Sequence, residues 1–229
     1  MTNPPFSLFR EYVAQLVEYG KKFLIIGNVQ ALTYKEVFPL IKGNKVWLGV
    51  TIHSGDREFR VPVHYPLKAA GWRVDENGVK YIRVKGVRWY TNLDHGRRHE
   101  ELNLMSMADN LRFNKKLKGK VYDRYDNYDA IEVPSTDAIP SDYANMMGVP
   151  ITFLDKYNPD QFEILGTSDN GLVDDKFKTT PGLTKQFVDD YYKRGGTGAY
   201  QEGNPTAGFY ENGVAKMAYK RIFIRHKKN

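Results

Sequence analysis

Hydrophobic and polar residues follow a helical period at the start of the chain and a strand-like pattern directly afterwards. Between Ser7 and Tyr19, apolar side chains recur every three or four residues, which predicts an amphipathic helix ended by Gly20. The stretch Lys22–Ile26 then contains a continuous apolar run. Such a run predicts a strand buried on both faces, as in a parallel sheet.

The next segment repeats this strand-and-helix rhythm. Thr33 and Glu36 have the spacing of a capping box, which predicts a short helix running toward Lys42. The apolar residues of Trp47–Ile52 predict the following strand. A strand–helix–strand order implies an α/β layer whose connections cross over with a right hand.

From residue 59 onward the pattern favours antiparallel strands. Phe59–Val63 alternates, and Asn77-Gly78 is a hairpin signal between Trp72–Asp75 and Val79–Val84. Later signals predict a partly helical segment, further strands, a short helix and a terminal hairpin. In chain order these are Val87–Thr91, Asp94–Met107, Ile151–Leu154, Gln161–Leu165, Thr184–Lys193, and Phe209-Tyr210 with Val214–Ile224 around Asn212-Gly213.

The amino-acid composition excludes several kinds of protein and of functional site. The formal net charge of +7 and pI near 9.3 are typical of a surface that binds phosphate, although charge alone does not specify nucleic acid. The absence of cysteine excludes disulfides, a cysteine nucleophile and thiolate metal sites. The start of the chain lacks the apolar stretch of a signal peptide, and no apolar run is long enough to span a bilayer. We therefore expect a soluble, cytoplasmic protein.

The tetrapeptide Asn3-Pro4-Pro5-Phe6 is the main chemical candidate. Two prolines exclude a helix interior or a central strand, so the segment is a rigid loop. One interpretation is a plain helix-leading loop, because proline is favoured at helix starts. The other is functional, because Asn-Pro-Pro-Phe resembles the catalytic motif of amino-methyltransferases that act on adenine in DNA.

That resemblance has a physical basis. The exocyclic amine of adenine is a poor nucleophile, because its lone pair is delocalised into the ring. Two acceptors aimed at its hydrogens pull the nitrogen toward a tetrahedral geometry, and preorganised polar groups of this kind stabilise the transition state. By the family's pattern the acceptors are the Asn3 side-chain oxygen and the Pro4 carbonyl, while Phe6 stacks on the flipped base.

Longer stretches extend the resemblance over nearly the whole chain. Beyond the motif and its continuation to Tyr12, they are Lys22–Asn28, Gly86–Leu93, Gly148–Gly166 and Lys220–Arg225. Together they resemble the EcoRI-type modification methylases, which are adenine-specific. The 19-residue stretch Gly148–Gly166 is the most distinctive of them.

The resemblance implies a fold, a cofactor and a substrate. The fold class is α/β, with a partial Rossmann-like methyltransferase sheet followed by an antiparallel-rich α+β region. Residues 1–58 would form the C-terminal half of the catalytic core, and residues 59–229 would include DNA target recognition. The methyl donor is S-adenosylmethionine and the substrate is double-stranded DNA. No membrane partner is expected.

The family's glycine-rich cofactor loop lies upstream of the catalytic motif, whereas only Met1 and Thr2 precede the motif here. We therefore expect a chain truncated at its N-terminus that binds S-adenosylmethionine weakly or not at all, and we assign no cofactor-binding residue. An incomplete sheet would expose an edge and an apolar face. Its own C-terminal segments or a second copy, in a homodimer, would cover that surface.

Several further residues are candidates for DNA contact. Trp89 and Tyr90 either line the base pocket or pack in the core. Arg97 and Arg98, between His95 and His99, lie near DNA phosphates or form a solvated polar segment. Lysines at a protein surface are usually only solvated. If the chain binds DNA, however, two clusters of basic residues are candidates for contact with the DNA phosphate backbone. The clusters are Lys115 and Lys116 with Lys118 and Lys120, and the tail Lys220–Lys228.

Three other patterns carry weaker signals. His95 and His99 stand four residues apart, as metal ligands on a helix do, but no matching third ligand accompanies them, so no metal site is assigned. Asp123, Asp126 and Asp129 lack the glycine of a calcium loop and suit a solvated acidic face. The glycine-rich segment 193–198 is either a phosphate cradle or, as we favour, a mobile loop.

The sequence therefore predicts an adenine-specific DNA methyltransferase, present as a piece that is inactive alone. Two alternatives remain. One is a DNA-binding remnant that keeps target recognition without chemistry. The other is an orphan protein-interaction fragment, which would bind a duplex without the salt dependence that phosphate contacts impose.

Overall fold

The computed structural model describes residues 1–51, 57–68, 71–168 and 182–227. The chain divides into two compact units, Met1–His95 and Gly96–Asn229. This boundary differs from the one expected at residues 58 and 59. The reason is the strand at Val87–Thr91, which returns to pair with strands from the first 50 residues and so belongs with them.

The described residues of the first unit form two helices and six strands. They are α1 (Phe9–Glu18), β1 (Leu24–Asn28), α2 (Phe38–Lys42), β2 (Trp47–Leu48), β3 (Arg57–Val61), β4 (Trp72–Val74), β5 (Lys80–Val84) and β6 (Val87–Thr91). A 3₁₀ turn at Phe6–Leu8 leads into α1, and another at Val29–Thr33 follows β1. Of the expected strand Trp47–Ile52, Ile52 lies outside the described residues.

One sheet of this unit has the order β1-β6-β2, and both of its strand pairs are antiparallel. β1 and β2 therefore run in the same direction, as the strand–helix–strand rhythm predicts, but β6 lies between them. Along β1, buried residues alternate with partly exposed ones. The expectation of a strand buried on both faces in a parallel sheet is thus wrong for β1, because its long-range partner β6 is antiparallel.

The other sheet of this unit has the order β3-β5-β4 and is antiparallel throughout. The predicted hairpin is confirmed. Gly78 adopts a φ of 75°, and the Asp75 side chain accepts hydrogen bonds from the backbone N–H groups of Asn77 and Val79. Glycine at this position avoids the steric cost that a side chain would have at positive φ.

The second unit contains α3 (Met107–Phe113), β7 (Ile131–Glu132), β8 (Met147–Pro150), β9 (Phe162–Thr167), α4 (Lys185–Lys193), β10 (Gly208–Glu211), β11 (Val214–Met217) and β12 (Arg221–His226). Its main sheet has the order β7-β8-β12-β9, with a parallel pair β7–β8 and antiparallel pairs elsewhere. The predicted hairpin β10–β11 is confirmed, with positive φ at Asn212 and Gly213. The hydrophobic core of this second unit contains Tyr125, Tyr128 and Phe223.

The mixed α/β class is therefore confirmed, and antiparallel pairs dominate after residue 57. Among the described residues, parallel pairing occurs at β7–β8 and at one bridge before β1, so a Rossmann-like sheet remains a prediction. Of the helices described, none has both the length and the apolar character needed to cross a membrane.

Candidate active site

The Asn3–Phe6 loop leaves a sheet at the carboxyl side of a parallel pair. Thr2 forms a parallel bridge with Ile25 of β1. Its N–H donates to the Leu24 carbonyl at 3.2 Å, and its carbonyl accepts from the Ile26 N–H at 3.4 Å. Asn3 therefore follows an extended residue aligned with β1 and lies toward the carboxyl end of that strand. Ligands of open α/β sheets bind at this edge.

Within the loop, the Asn3 side chain and the Pro4 carbonyl do not cap the helix that follows. Asn3 is exposed, Pro4 is buried and Phe6 is 36% exposed. The N-cap residues of the 3₁₀ turn and of α1 are Pro5 and Leu8, and neither position has a side-chain capping bond. The backbone bond that opens the turn, from the Leu8 N–H at 3.0 Å, is accepted by Pro5 and not by Pro4. The plain helix-capping interpretation therefore does not account for Asn3.

Residues beyond the motif anchor the loop to the sheet. Phe9 is almost fully buried and contacts Tyr90 edge-on, with ring centroids 4.8 Å apart. A Cβ added at Gly27 would lie 2.4 Å from the Phe9 ring, so glycine is required for this approach. Asn28 ends β1 and accepts a 2.8 Å bond from the Tyr90 hydroxyl on its carbonyl. Phe9, Gly27 and Asn28 thus position the loop, and sequence reasoning gave none of them a role.

The two aromatic DNA candidates on β6 have different environments. Trp89 is half-buried, so a contact with DNA remains a prediction for it. Tyr90 is fully buried between β1 and α1. Its assignment to DNA contact is therefore corrected, and the core-packing alternative describes it instead.

The two arginine candidates belong to the second unit, and they too have different environments. Arg97 is exposed and lines a cleft of about 300 Å³ together with Glu100, Glu101 and Lys156. Arg98 is only 8% exposed. Burial raises the pKa of Tyr157 to about 12, and the nearby charge of Arg98 opposes that increase. Arg98 therefore lies inside the unit beside Tyr157, and its assignment to DNA phosphates is corrected.

Lys115 and Lys116 are exposed, as a DNA contact requires, and Lys116 Nζ donates to the Pro134 carbonyl at 3.4 Å. Lys120 instead forms an ion pair with Glu211. In the tail, Arg221 pairs with buried Glu132, so it stabilises the sheet. Lys228 lies outside the described residues.

The weaker patterns have structural explanations. His95 Nε2 lies 3.0 Å from the Leu48 carbonyl, and His99 Nδ1 lies 2.9 Å from an Asp160 oxygen. Asp126 accepts a bond from the Thr184 hydroxyl at the start of α4. Within the described ranges, no cluster of His, Cys, Asp or Glu has the form of a metal site.

Hydrogen bonds from tyrosines of α4 fix the glycine-rich segment that follows this helix. The Tyr191 hydroxyl donates to the Thr197 carbonyl at 3.0 Å. The Tyr192 hydroxyl lies 3.0 Å from the Gly198 carbonyl and accepts from the Tyr200 N–H at 2.7 Å. Contrary to the expectation of a mobile loop, these tyrosines tie the segment to the helix it follows.

A site for S-adenosylmethionine needs a glycine-rich turn between a strand and a helix, because backbone amides there approach the ligand closely. In the part of the chain that the structure describes, the glycine-rich segment follows the helix α4, so it does not connect a strand to a helix. The described residues therefore do not fit that cofactor, and none of them is assigned to it.

Comparisons with known proteins give a consistent picture. A family model described as adenine-specific methyltransferase EcoRI matches residues 1–227. Type II methyltransferase M.EcoRI of Escherichia coli is 53% identical over 167 residues, which cover 72% of this chain and 48% of the relative. Type II methyltransferases M.MgeORF184P of Mycoplasma genitalium and M.MpnI of Mycoplasma pneumoniae are each 36% identical over 168 residues, covering 72% of this chain and 50% of either relative.

The chain spans about half the length of the curated relatives it matches. No solved structure matches it at a significant level.

Proposed function

We propose that this chain, which belongs to the adenine-specific EcoRI methyltransferase family, carries the base-binding and catalytic loop of a DNA methyltransferase. The reaction is transfer of a methyl group to the exocyclic amine of adenine in a specific duplex site. S-adenosylmethionine would supply the methyl group. The enzyme would act in the cytoplasm, on the DNA of the cell.

The observation that carries this proposal is the position of Asn3. Its residue type and its two following prolines match the family's motif, and it follows a residue paired in parallel with β1. It is also exposed and not used as a helix cap. A ligand at this sheet edge can therefore reach the Asn3 amide.

Each loop residue has a distinct role in the proposed reaction. The Asn3 Oδ1 and the Pro4 carbonyl would accept hydrogen bonds from the adenine amine, which would localise the nitrogen lone pair and make that nitrogen a better nucleophile. S-adenosylmethionine would supply the activated methyl group, whose bond to sulfur would break as the bond to nitrogen forms, and the nitrogen would release one proton. Pro5 fixes the backbone direction, because its ring locks φ near the observed −54°. The exposed part of the Phe6 ring stacks on the base after it leaves the duplex.

The first prediction concerns Asn3. Substituting Asn3→Ala removes one of the two acceptors and should lower the methyl-transfer rate by about 10²–10³-fold, as for loss of one preorganised polar group. The rate is measured as transfer of labelled methyl to duplex DNA. Because the chain spans about half of its relatives, it is assayed alone and together with the part of the Escherichia coli relative that it does not match.

The matched control is Asn145→Ala, which changes an exposed asparagine in the other unit and should leave the rate unchanged. Equal rates for Asn3→Ala and Asn145→Ala would contradict the proposal. Salt-dependent DNA binding with no methyl transfer in the complemented mixture would also contradict it, and would favour a non-catalytic DNA-binding remnant.

A further inference from the structure

Residues 57–85 concentrate the positive charge of the chain. They contain seven Lys and Arg residues against three Asp and Glu residues, so this segment of 29 residues carries a net charge of +4 out of +7. The segment folds as the antiparallel sheet β3-β5-β4. Charge of one sign on one small element attracts a polyanion over several ångströms.

The same sheet is exposed to an unusual degree. Between Val50 and Gly86, none of the described residues is buried. The edge strand β4 is exposed at all three positions, and Trp72 and Val74 are 52% and 45% exposed. Three strands need an apolar face or a helix packed against them for independent stability. Trp72 and Val74 point to one side of the sheet, and on its other side Arg60, Arg73 and Arg83 are also exposed, so a ligand can reach their side chains.

The strand register divides the side chains into two faces, because residues directly opposite one another point to the same side. One face has an apolar centre, with Phe59, Ile82 and Trp72 in line across the three strands, and also carries Arg57 and Lys80. On the other face, Arg60, Tyr81 and Arg73 form the corresponding line, with Arg83 opposite Glu58 beside it. We call this second side, made of Arg60, Arg73, Tyr81, Arg83 and Glu58, the arginine face.

Arg73 is held in a fixed orientation on this face. Its guanidinium carbon lies 4.3 Å from the centre of the Tyr81 ring. Its nitrogens donate to both Glu58 carboxylate oxygens at 2.8–3.1 Å, and this hydrogen bonding holds the pKa of Glu58 below its ordinary value. A stacked guanidinium still has outward N–H donors. Such pre-oriented arginines suit bidentate contact with phosphate.

We propose that the arginine face binds duplex DNA, with Arg60, Arg73 and Arg83 contacting backbone phosphates. This inference rests on the proposed function, because that function makes duplex DNA the substrate. Neighbouring strands lie about 4.8 Å apart, so the outer strands that carry Arg60 and Arg73 are about 10 Å apart. A major groove is about 12 Å wide, so arginines this far apart can reach phosphates on both sides of a groove while the sheet lies across it. The sheet would hold the duplex while the Asn3 loop receives the base.

The test removes three charges from this face in the full chain. Arg60, Arg73 and Arg83 are all replaced by Gln, and binding to a short fluorescein-labelled duplex is measured by anisotropy at several salt concentrations. The matched control replaces Lys21, Lys22 and Lys45 by Gln. These exposed lysines precede β1 and β2, so they lie at the sheet edge opposite the Asn3 loop.

Loss of three phosphate contacts should weaken binding about tenfold or more near 0.1 M salt and reduce the salt slope by about 2.7. The lysine control should change the slope by less than about 1. A third variant, with all three arginines replaced by Lys, keeps the charge and should retain the wild-type slope. Its retained slope would show that lost phosphate contact, rather than altered folding, explains the Gln variant.

Two results would overturn the inference: equal weakening by the arginine and lysine substitutions, or no salt-dependent duplex binding by the unchanged chain. Its failure is distinct from failure of the proposed function. The arginine substitutions are judged by binding and salt slope, whereas the proposed function is judged by the effect of Asn3→Ala on methyl transfer. Each measurement can fail while the other succeeds.

Discussion

At the scale of single residues, Tyr90 connects the sheet to the loop that carries Asn3. Its ring contacts Phe9, and its hydroxyl bonds to the last residue of β1 at 2.8 Å. Asn28 is itself fixed by two further bonds, which its side chain makes to the backbone of Gln30 and Lys85. A partly buried carbonyl that loses its donor costs free energy, because water replaces the bond only incompletely.

The second prediction is therefore that Tyr90→Phe lowers the free energy of unfolding by about 1 kcal/mol, since it removes this bond and keeps the ring packing. DNA affinity should not change, because Tyr90 is buried. Urea unfolding and the anisotropy titration measure the two effects. Tyr19→Phe, at a position that is 69% exposed, is the control and should alter neither. A large loss of DNA affinity on Tyr90→Phe would restore Tyr90 as a DNA contact.

The sequence singled out Asn3–Phe6 as the candidate loop because a proline-fixed tetrapeptide is a local signal. It could not place Tyr90 or Arg98, because burial depends on partners far away in the chain. The partner of Tyr90 is Phe9, and Arg98 lies near Tyr157. The arginine face was also missed. It exists only once β3, β4 and β5 are in register, whereas the lysine cluster at residues 115–120 is visible in the linear sequence.

At the scale of secondary structure elements, local turn chemistry was a reliable guide and long-range pairing was not. Both Asn-Gly hairpins are confirmed, because the turn fixes the register of its own strands. The helix predicted to begin at a capping box on Thr33 begins later in the chain. Thr33 ends a 3₁₀ turn, and α2 begins at Phe38 after the uncapped Val37. Ile151–Leu154 is likewise part of a 3₁₀ turn and not a strand.

Helix α1 shows why period alone does not fix the buried face. The helical period of apolar residues includes Leu8 and Tyr19, which are 57% and 69% exposed, and Val13, which is buried, whereas the buried Phe9 lies outside it. The orientation of α1 is set by Phe9, which fits over Gly27 of β1. The contact between α1 and β1 therefore also determines where the preceding loop lies.

The third prediction tests that contact. Gly27→Ala would place a Cβ 2.4 Å from Phe9 and 2.9 Å from Tyr90, so rings or backbone must shift. Overpacking of this kind should lower the free energy of unfolding by about 1–3 kcal/mol. It should also slow methyl transfer in the complemented assay, because the Asn3 loop moves with Phe9. The control is Gly96→Ala, where an added Cβ meets nothing within 4 Å. An unchanged unfolding midpoint for Gly27→Ala would contradict this account.

At the scale of the whole molecule, the two units differ in how they use tyrosine. The second unit contains five tyrosines whose pKa is raised by burial, which are Tyr122, Tyr125, Tyr128, Tyr157 and Tyr210. Each of the five hydroxyls donates a hydrogen bond. Four donate to carbonyl or carboxylate groups of other segments, and the Tyr157 hydroxyl donates to the Phe162 carbonyl. The folded second unit therefore depends on these hydroxyls staying protonated.

The fourth prediction is that the second unit unfolds at alkaline pH. An unfolded tyrosine ionises near pH 10, whereas the pKa of Tyr157 and of Tyr210 is raised to about 12 in the folded chain. Above pH 10 the unfolded state therefore binds fewer protons than the folded state. By linkage, stability is fully present below pH 10 and falls as pH rises toward and beyond 12.

We expect tyrosinate absorbance from these five residues to rise together with the loss of far-ultraviolet circular dichroism, and not before it. A titration in concentrated urea gives the reference, in which the same hydroxyls should ionise near pH 10. Tyr128→Phe removes one of the titrating hydroxyls and should raise the pH at which half of the protein is unfolded. The variant is compared with the unchanged chain under conditions in which both have the same free energy of unfolding at neutral pH. If all sixteen tyrosines ionise near pH 10 while the circular dichroism is unchanged, the buried hydroxyl bonds do not hold this unit together.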